Sequence, residues 1–109
     1  MTVATLQSRK RAEASRRKNA AAGVIEFLRA YAVQEGGRFV VFGSSTSGEM
    51  RYDSDIDVLV DFPPEKAAAA IVYVEDVCAA HALPADIFDA STTIETFVRR
   101  VQANGLCLP

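Results

Sequence analysis

Two short apolar runs on either side of a small-residue loop constrain the fold of this chain more than any other feature. Residues 39–42 are Phe-Val-Val-Phe, and the loop after them holds only serine and threonine between Gly43 and Gly48. Residues 55–62 then combine aspartates with branched apolar side chains before Pro63-Pro64. Aromatic and β-branched residues favour strands, and proline ends them. We therefore predict two strands, over residues 38–42 and 55–62, that pair antiparallel.

Helical patterns surround these strands. Residues 12–34 place apolar side chains three and four positions apart before Gly36-Gly37, which predicts an amphipathic helix. The predicted inward stripe of this helix is Val24, Phe27, Leu28 and Tyr31. Residues 65–81 are rich in alanine and predict a second helix, which crosses to a third strand over residues 85–89.

The last helix is predicted from Thr92 and Glu95, which have capping-box spacing, with Ile94 among its inward residues and an end near Gly105. The predicted order is therefore α-β-β-α-β-α. This order belongs to the α/β (α+β) fold class, with a small mixed β-sheet flanked by helices.

Length and composition indicate one soluble domain. The chain has 109 residues, of which 50% are hydrophobic, so one core is expected, with a single domain over residues 21–109. No apolar run reaches the roughly 20 residues that span a bilayer, and we expect a cytoplasmic protein. The two cysteines, Cys78 and Cys107, are far apart and are predicted to be reduced packing residues.

Charge is distributed unevenly along a chain whose net charge is only −2. Residues 1–20 form a basic segment that begins the first helix, and acids crowd the middle of the chain. The basic residues of this segment are Arg9, Lys10, Arg11, Arg16, Arg17 and Lys18. We predict a solvated helix or a frayed terminus here rather than a surface for nucleic acid or an acidic partner. Nucleic acid is disfavoured because no aromatic residues are interleaved and the middle of the chain is acidic.

The pair Asp55 and Asp57 is the main candidate for chemistry. Alternation along a strand places both carboxylates on one face, about 7 Å apart at their Cα atoms. Two like charges held in this way favour a hard divalent cation such as magnesium, which takes further ligands from phosphates. The preceding loop allows backbone N–H groups to approach phosphate oxygens, so Gly43, Ser44 and Ser45 are predicted to bind the nucleotide.

A third carboxylate, Asp86, lies on the predicted strand that returns beside the second strand. Three carboxylates are enough to hold two magnesium ions, of which one activates an attacking oxygen and the other neutralises a leaving group. Asp55, Asp57 and Asp86 are therefore predicted to be both metal-binding and catalytic. The sole histidine, His81, follows the alanine-rich helix and is expected to serve as a cap or a surface residue.

Phe42-Gly43-Ser44 together with the segment Ser-Asp-Ile-Asp-Val-Leu-Val at residues 54–60 resembles the signature of the minimal nucleotidyltransferases of the DNA polymerase β superfamily. The resemblance covers roughly residues 24–100. It implies the nucleotidyltransferase fold and magnesium-dependent transfer of a nucleoside monophosphate from a triphosphate, with pyrophosphate as the leaving group. We expect the transfer of AMP from ATP. Gly43 and Ser44 match the pair that contacts phosphate, and Asp55, Asp57 and Asp86 match the metal-binding carboxylates.

The same resemblance suggests a partner, since minimal members commonly act as antitoxins paired with a helical HEPN-type protein, whose hydroxyl group would accept the nucleotide. One departure is that relatives often continue Gly-Ser with an arginine-containing stretch, whereas residues 45–48 here are Ser-Thr-Ser-Gly. Arg51 or a partner would have to supply the missing charge. An alternative function follows from this departure, namely a weak or inactive module that neutralises its partner by binding.

Overall fold

The computed structural model describes residues 5–109, which form four helices and one four-stranded sheet. The elements in chain order are α1 (Leu6–Glu35), β1 (Arg38–Phe42), α2 (Ser44–Ser47), β2 (Ile56–Asp61), α3 (Pro64–Ala80), β3 (Ala85–Asp89), α4 (Glu95–Asn104) and β4 (Leu106–Leu108). The predicted mixed sheet with flanking helices is confirmed. Two elements were not predicted, the short helix α2 and the last strand β4.

The sheet has the strand order β3-β2-β1-β4. Strand β1 pairs antiparallel with β2 and with β4, whereas β2 pairs parallel with β3 because α3 carries the chain back across the sheet. One face packs on α1 and α3 through a core that includes Val24, Leu28, Val58 and Val74. The other face is covered by α4, where Val101 contacts Val40 and Leu59.

Helix α1 begins earlier than its apolar stripe predicted. The hydroxyl of Thr5 caps it by accepting a hydrogen bond from the backbone N–H of Ser8 at 3.1 Å, and Gly36 ends it in the left-handed conformation with φ 74°. From residue 6 onward, the basic segment is therefore part of α1. Residues 1–4 of the segment lie outside the described part. Within the stripe, Phe27 is wrongly assigned, because its side chain is 52% exposed. The predicted domain boundary between residues 20 and 21 stays a prediction.

The start of α4 also differs from its prediction. No side-chain hydrogen bond caps this helix, and Ile94, predicted to point inward, is 76% exposed at its N-terminus. The Thr92 hydroxyl instead donates to the backbone carbonyl of Asp89 at 3.4 Å. The predicted capping box is wrong because the Thr92 hydroxyl closes the turn after β3 instead. Threonine can serve either purpose, and residue spacing does not reveal which one applies.

The predictions for the cysteines and the histidine are confirmed in part. Both cysteines are free, and Cys78 is buried, which raises the pKa of its thiol to about 11, but Cys107 is exposed and is not a packing residue. His81 is the C-cap residue of α3, as predicted, and its Nδ1 lies 2.8 Å from the carbonyl oxygen of Val77. Within residues 5–109, no helix is both long enough and apolar enough to cross a membrane.

Strand β4 offers a matched test of its contribution to stability. Leu108 is fully buried in the core, whereas Leu106 on the same strand is 38% exposed. We expect Leu108→Ala to lower the free energy of unfolding by about 2–5 kcal/mol, because it removes buried methyl groups and leaves a cavity. Leu106→Ala should change it by about 1 kcal/mol or less. Urea denaturation of both variants measures the difference, and equal losses would show that β4 does not close the core.

Candidate active site

Three paired residues form a row across the sheet at the C-terminal end of β1. Asp57 of β2 pairs in register with Phe42 of β1 and with Asp86 of β3. Directly paired residues point their side chains to the same face, and neighbouring strands are about 4.8 Å apart. The fold thus places Asp57 and Asp86 side by side, although a helix and two loops separate them in the chain.

Asp55 immediately precedes β2 and completes a cluster of negative charge. Burial raises the pKa of Asp57, and the negative charges of Asp86 and then Asp55 raise it further. Asp55 and Asp57 are half-buried, whereas Asp86 is exposed. None of the three carboxylates accepts a hydrogen bond or forms an ion pair with a residue that the structure describes. The cluster therefore has no compensating cation among residues 5–109.

The chemistry of this cluster fits a hard divalent cation. Its donors are all carboxylate oxygens, the ligands that magnesium prefers, and their mutual repulsion disfavours the ionised state unless a cation neutralises it. In the described part of the chain, no group of three or more histidine, cysteine, aspartate or glutamate side chains is arranged so that it could hold a metal ion. Asp55, Asp57 and Asp86 remain the candidate ligands, because their carboxylates are suitable donors. That the three together bind a metal ion stays a prediction.

Gly43 lies against this cluster and has two reasons to be glycine. Its backbone has φ 79° and ψ −152°, a region that is essentially restricted to glycine. A Cβ atom at this position would stand 2.4 Å from Oδ2 of Asp57, closer than any normal contact. The sequence predicted that Gly43 permits a close approach to phosphate, and the structure adds a close approach to the Asp57 carboxylate.

The hydroxyl groups of the loop are mostly used within it. Ser45 donates to the carbonyl of Phe42 at 3.3 Å, and Thr46 donates to that of Gly43 at 2.9 Å. Ser47 likewise donates to the carbonyl of Ser44 at 3.3 Å. These bonds close the single turn of α2, which explains a helix where the sequence indicated only a loop. The Ser44 side chain has no hydrogen bond to a described residue, so its hydroxyl is free for a phosphate oxygen. The donor of Ser45 is already engaged.

Two arginines of the basic segment make structural contacts that the sequence did not reveal. Arg17 donates through Nη1 to the carbonyl of Ser54 at 2.9 Å, directly before Asp55. Arg16 donates to the carbonyls of His81 and Ala82, at 3.2 and 2.9 Å, where α3 ends. The expectation of a solvated helix is therefore wrong for Arg17, which is partly buried, whereas Arg16 stays exposed while it makes its contacts. Their partners lie far along the chain and are backbone carbonyls, which leave no sequence pattern.

Arg51, predicted as a possible source of the missing charge, lies in the loop between α2 and β2. It lines a groove with Lys10 and Arg11 of α1, and Nζ of Lys10 lies 4.7 Å from the centroid of the Tyr52 ring. Tyr52 is three residues before Asp55, so their Cα atoms are at most about 11 Å apart. Three cationic side chains therefore line a groove that includes a residue close to Asp55 in the chain.

The Arg17 contact predicts a coupling between α1 and the carboxylate segment. We expect Arg17→Ala to lower the free energy of unfolding by about 1–3 kcal/mol, because it removes a charged donor from a half-buried carbonyl. Lys18→Ala, at the next and exposed position, should have little effect. Thermal denaturation compares the two variants. An Arg17→Ala protein as stable as Lys18→Ala would exclude the coupling.

In comparison with known proteins, the chain matches the family model described as a nucleotidyltransferase domain over residues 23–102. Neither a curated protein nor a solved structure showed significant similarity to the chain. The matched region begins within α1, ends within α4, and includes the Gly-Ser loop and all three aspartates.

Proposed function

Because this chain belongs to the nucleotidyltransferase domain family, we propose that it transfers AMP from ATP to a hydroxyl group of a partner protein in the cytoplasm. The observation that carries the proposal is the cluster of Asp55, Asp57 and Asp86, which adjoins a glycine loop and has no cation partner among the described residues. Such a cluster is costly to a fold unless it binds a cation.

The carboxylates would hold two magnesium ions, which, when bound, neutralise negative charge on the phosphates. The Gly43 backbone and the Ser44 hydroxyl would orient the triphosphate beside Asp57. The partner's hydroxyl oxygen forms a bond to the α-phosphorus, and the bond to the bridging oxygen of the β-phosphate breaks. Pyrophosphate leaves with that electron pair. Asp86, the exposed carboxylate, would take the proton of the hydroxyl group.

We propose further that the partner is a helical HEPN-type protein and that the chain acts as its antitoxin. Support comes from the resemblance to minimal nucleotidyltransferases. The exposed position of Asp86 is also consistent with a hydroxyl group that arrives on a separate macromolecule. The preference for adenine and membership of the minimal nucleotidyltransferase subfamily are parts of the same proposal.

Two labelled forms of ATP provide the test. Label on the α-phosphate should appear on the acceptor protein in the presence of magnesium, whereas label on the γ-phosphate should leave with pyrophosphate. Asp86→Asn should abolish the transfer. Asp89→Asn, on the same strand, should retain it, because the Asp89 carboxylate accepts hydrogen bonds from Ser91 and is not part of the cluster. Transfer of the γ-label instead would show phosphoryl transfer and contradict the proposal.

The second candidate is a module that neutralises its partner by contact without transfer. The hydroxyls of Ser45, Thr46 and Ser47 favour this function, because they serve the turn and bring no positive charge to the loop. A module predicts that neither label is transferred, while wild type and Asp86→Asn bind and neutralise the HEPN-type partner equally well. An enzyme predicts that only the wild type modifies it.

A further inference from the structure

Helix α4 covers the same face of the sheet that carries the acidic cluster. Phe97 of α4 packs against Phe42 and Phe88, with ring centroids 5.8 and 5.6 Å away. Phe42 pairs directly with Asp57, and Phe88 lies two residues after Asp86 on β3. Because side chains two residues apart on a strand share a face, α4 and the carboxylates are neighbours on one surface.

A cavity of about 240 Å³ lies between α2 and α4 at this border. Its lining includes Phe42, Gly43, Thr46, Phe97, Arg100 and Asn104. Gly43 also faces Oδ2 of Asp57, so a single residue separates the cavity from the cluster. The lining contains one cation and no acid, and the rest of its surface is mostly apolar. This balance favours an anionic ligand.

Arg100 supplies that cation, and its charge is not neutralised within the described residues. Its guanidinium has no hydrogen bond or ion pair there, whereas the adjacent Arg99 pairs with Glu95 on the same helix. Asn104 donates to the backbone carbonyl of Arg100 at 2.9 Å and leaves the guanidinium free. An unpaired arginine beside a glycine loop has the donor geometry that binds phosphate oxygens in pairs.

We propose that this cavity binds the phosphate end of the nucleoside triphosphate and that Arg100 supplies the positive charge missing from residues 45–47. The inference rests on the proposed function. The cavity is smaller than the roughly 300–1,000 Å³ typical of whole-ligand sites, so it accommodates part of the nucleotide. Anchored there, the phosphates lie next to Gly43 and within reach of the carboxylate cluster.

Calorimetric titration tests the assignment with three probes in magnesium, namely ATP, inorganic tripolyphosphate and adenosine. We expect Arg100→Ala to weaken the binding of ATP and tripolyphosphate at least about tenfold, the effect of losing one charged hydrogen bond. Arg100→Lys should lie between this variant and the wild type, because lysine keeps the charge without the paired geometry. Arg99→Ala is the matched control, and its affinity should stay within about twofold of wild type. Both arginines are exposed, so the variants should fold, which circular dichroism verifies.

The outcomes separate this inference from the proposed function. If Arg100→Ala binds tripolyphosphate like Arg99→Ala, or if the wild type does not bind it at all, the phosphate assignment is overturned. An equal loss of adenosine and ATP binding would overturn it too, because the cavity would then recognise the nucleoside. If tripolyphosphate binding depends on Arg100 but no label is transferred to any acceptor, the phosphate site stands and the transfer function fails.

Discussion

Asp57→Asn is expected to abolish nucleotide transfer and, in the absence of magnesium, to make the protein more stable. The loss of transfer should be at least about a hundredfold, since a central cation ligand is removed. The gain in stability should be on the order of 1 kcal/mol, or about 4 °C in Tm, after allowing for screening by solvent. It arises because asparagine removes a half-buried charge from between Asp86 and Asp55.

The pH dependence of this gain follows from the pKa of Asp57, which is raised in the folded state. The folded wild type then binds this proton more tightly than the unfolded chain, so its stability falls as pH rises. The difference between Asp57→Asn and wild type should therefore grow from about pH 4 upward, where aspartate ionises in the unfolded chain, and level off above the raised pKa.

Thermal denaturation with and without magnesium completes this experiment. Magnesium should stabilise the wild type and reduce the advantage of Asp57→Asn, because a ligand that binds only the folded protein stabilises it. Asp53→Asn is the control, since it removes a charge from an exposed turn outside the cluster. If Asp57→Asn were less stable than wild type at neutral pH without metal, the carboxylate would have a protein partner and the metal interpretation would lose its basis.

Gly43→Ala is expected to reduce stability and transfer together. The methyl group would stand 2.4 Å from Oδ2 of Asp57, and the backbone conformation is one that alanine avoids. The conformation alone costs about 1–3 kcal/mol, and displacement of the Asp57 side chain adds to it. We expect a total loss of about 3 kcal/mol or more, with transfer reduced at least about tenfold because the carboxylate must move.

Gly48 provides a control at the other end of the same loop. Its φ is 78°, close to that of Gly43, but a Cβ atom there would meet no atom within 4 Å. Gly48→Ala should therefore cost only the roughly 1–2 kcal/mol of the left-handed conformation and should retain transfer. Urea denaturation and the labelled-ATP assay compare the two variants. Equal effects would mean that Gly43 contributes by conformation alone and does not shape the Asp57 site.

The sequence predicted those parts of the fold that depend on local patterns. The strands at residues 38–42 and 85–89 were predicted with the bounds that the structure has, because apolar runs and flanking glycine or proline act within a few residues. Strand β4 was missed because its residues Leu106–Leu108 are too few for a pattern. Their pairing with β1 becomes visible only when the two segments meet.

The candidate site shows the same division. Asp55, Asp57 and Asp86 could be selected from the sequence, since residue type, alternation and a crossover helix suffice to place carboxylates on one face. Arg17 and Arg100 could not be selected, because each is one arginine among several in a helix. What distinguishes them is a carbonyl of Ser54 in one case and a cavity beside Gly43 in the other.

The sequence by itself thus determined the chemistry of the acidic cluster and of the Gly-Ser loop, because donor type and strand alternation are local properties. Only the tertiary structure decided the register that sets Asp57 beside Asp86 and brings Gly43 against the Asp57 carboxylate. It also decided that, among the described residues, Arg99 pairs with Glu95 while Arg100 lines the cavity beside Gly43 without an ion pair. The physical reason is that register and charge pairing depend on contacts between segments distant in the chain, which no local pattern of residues encodes.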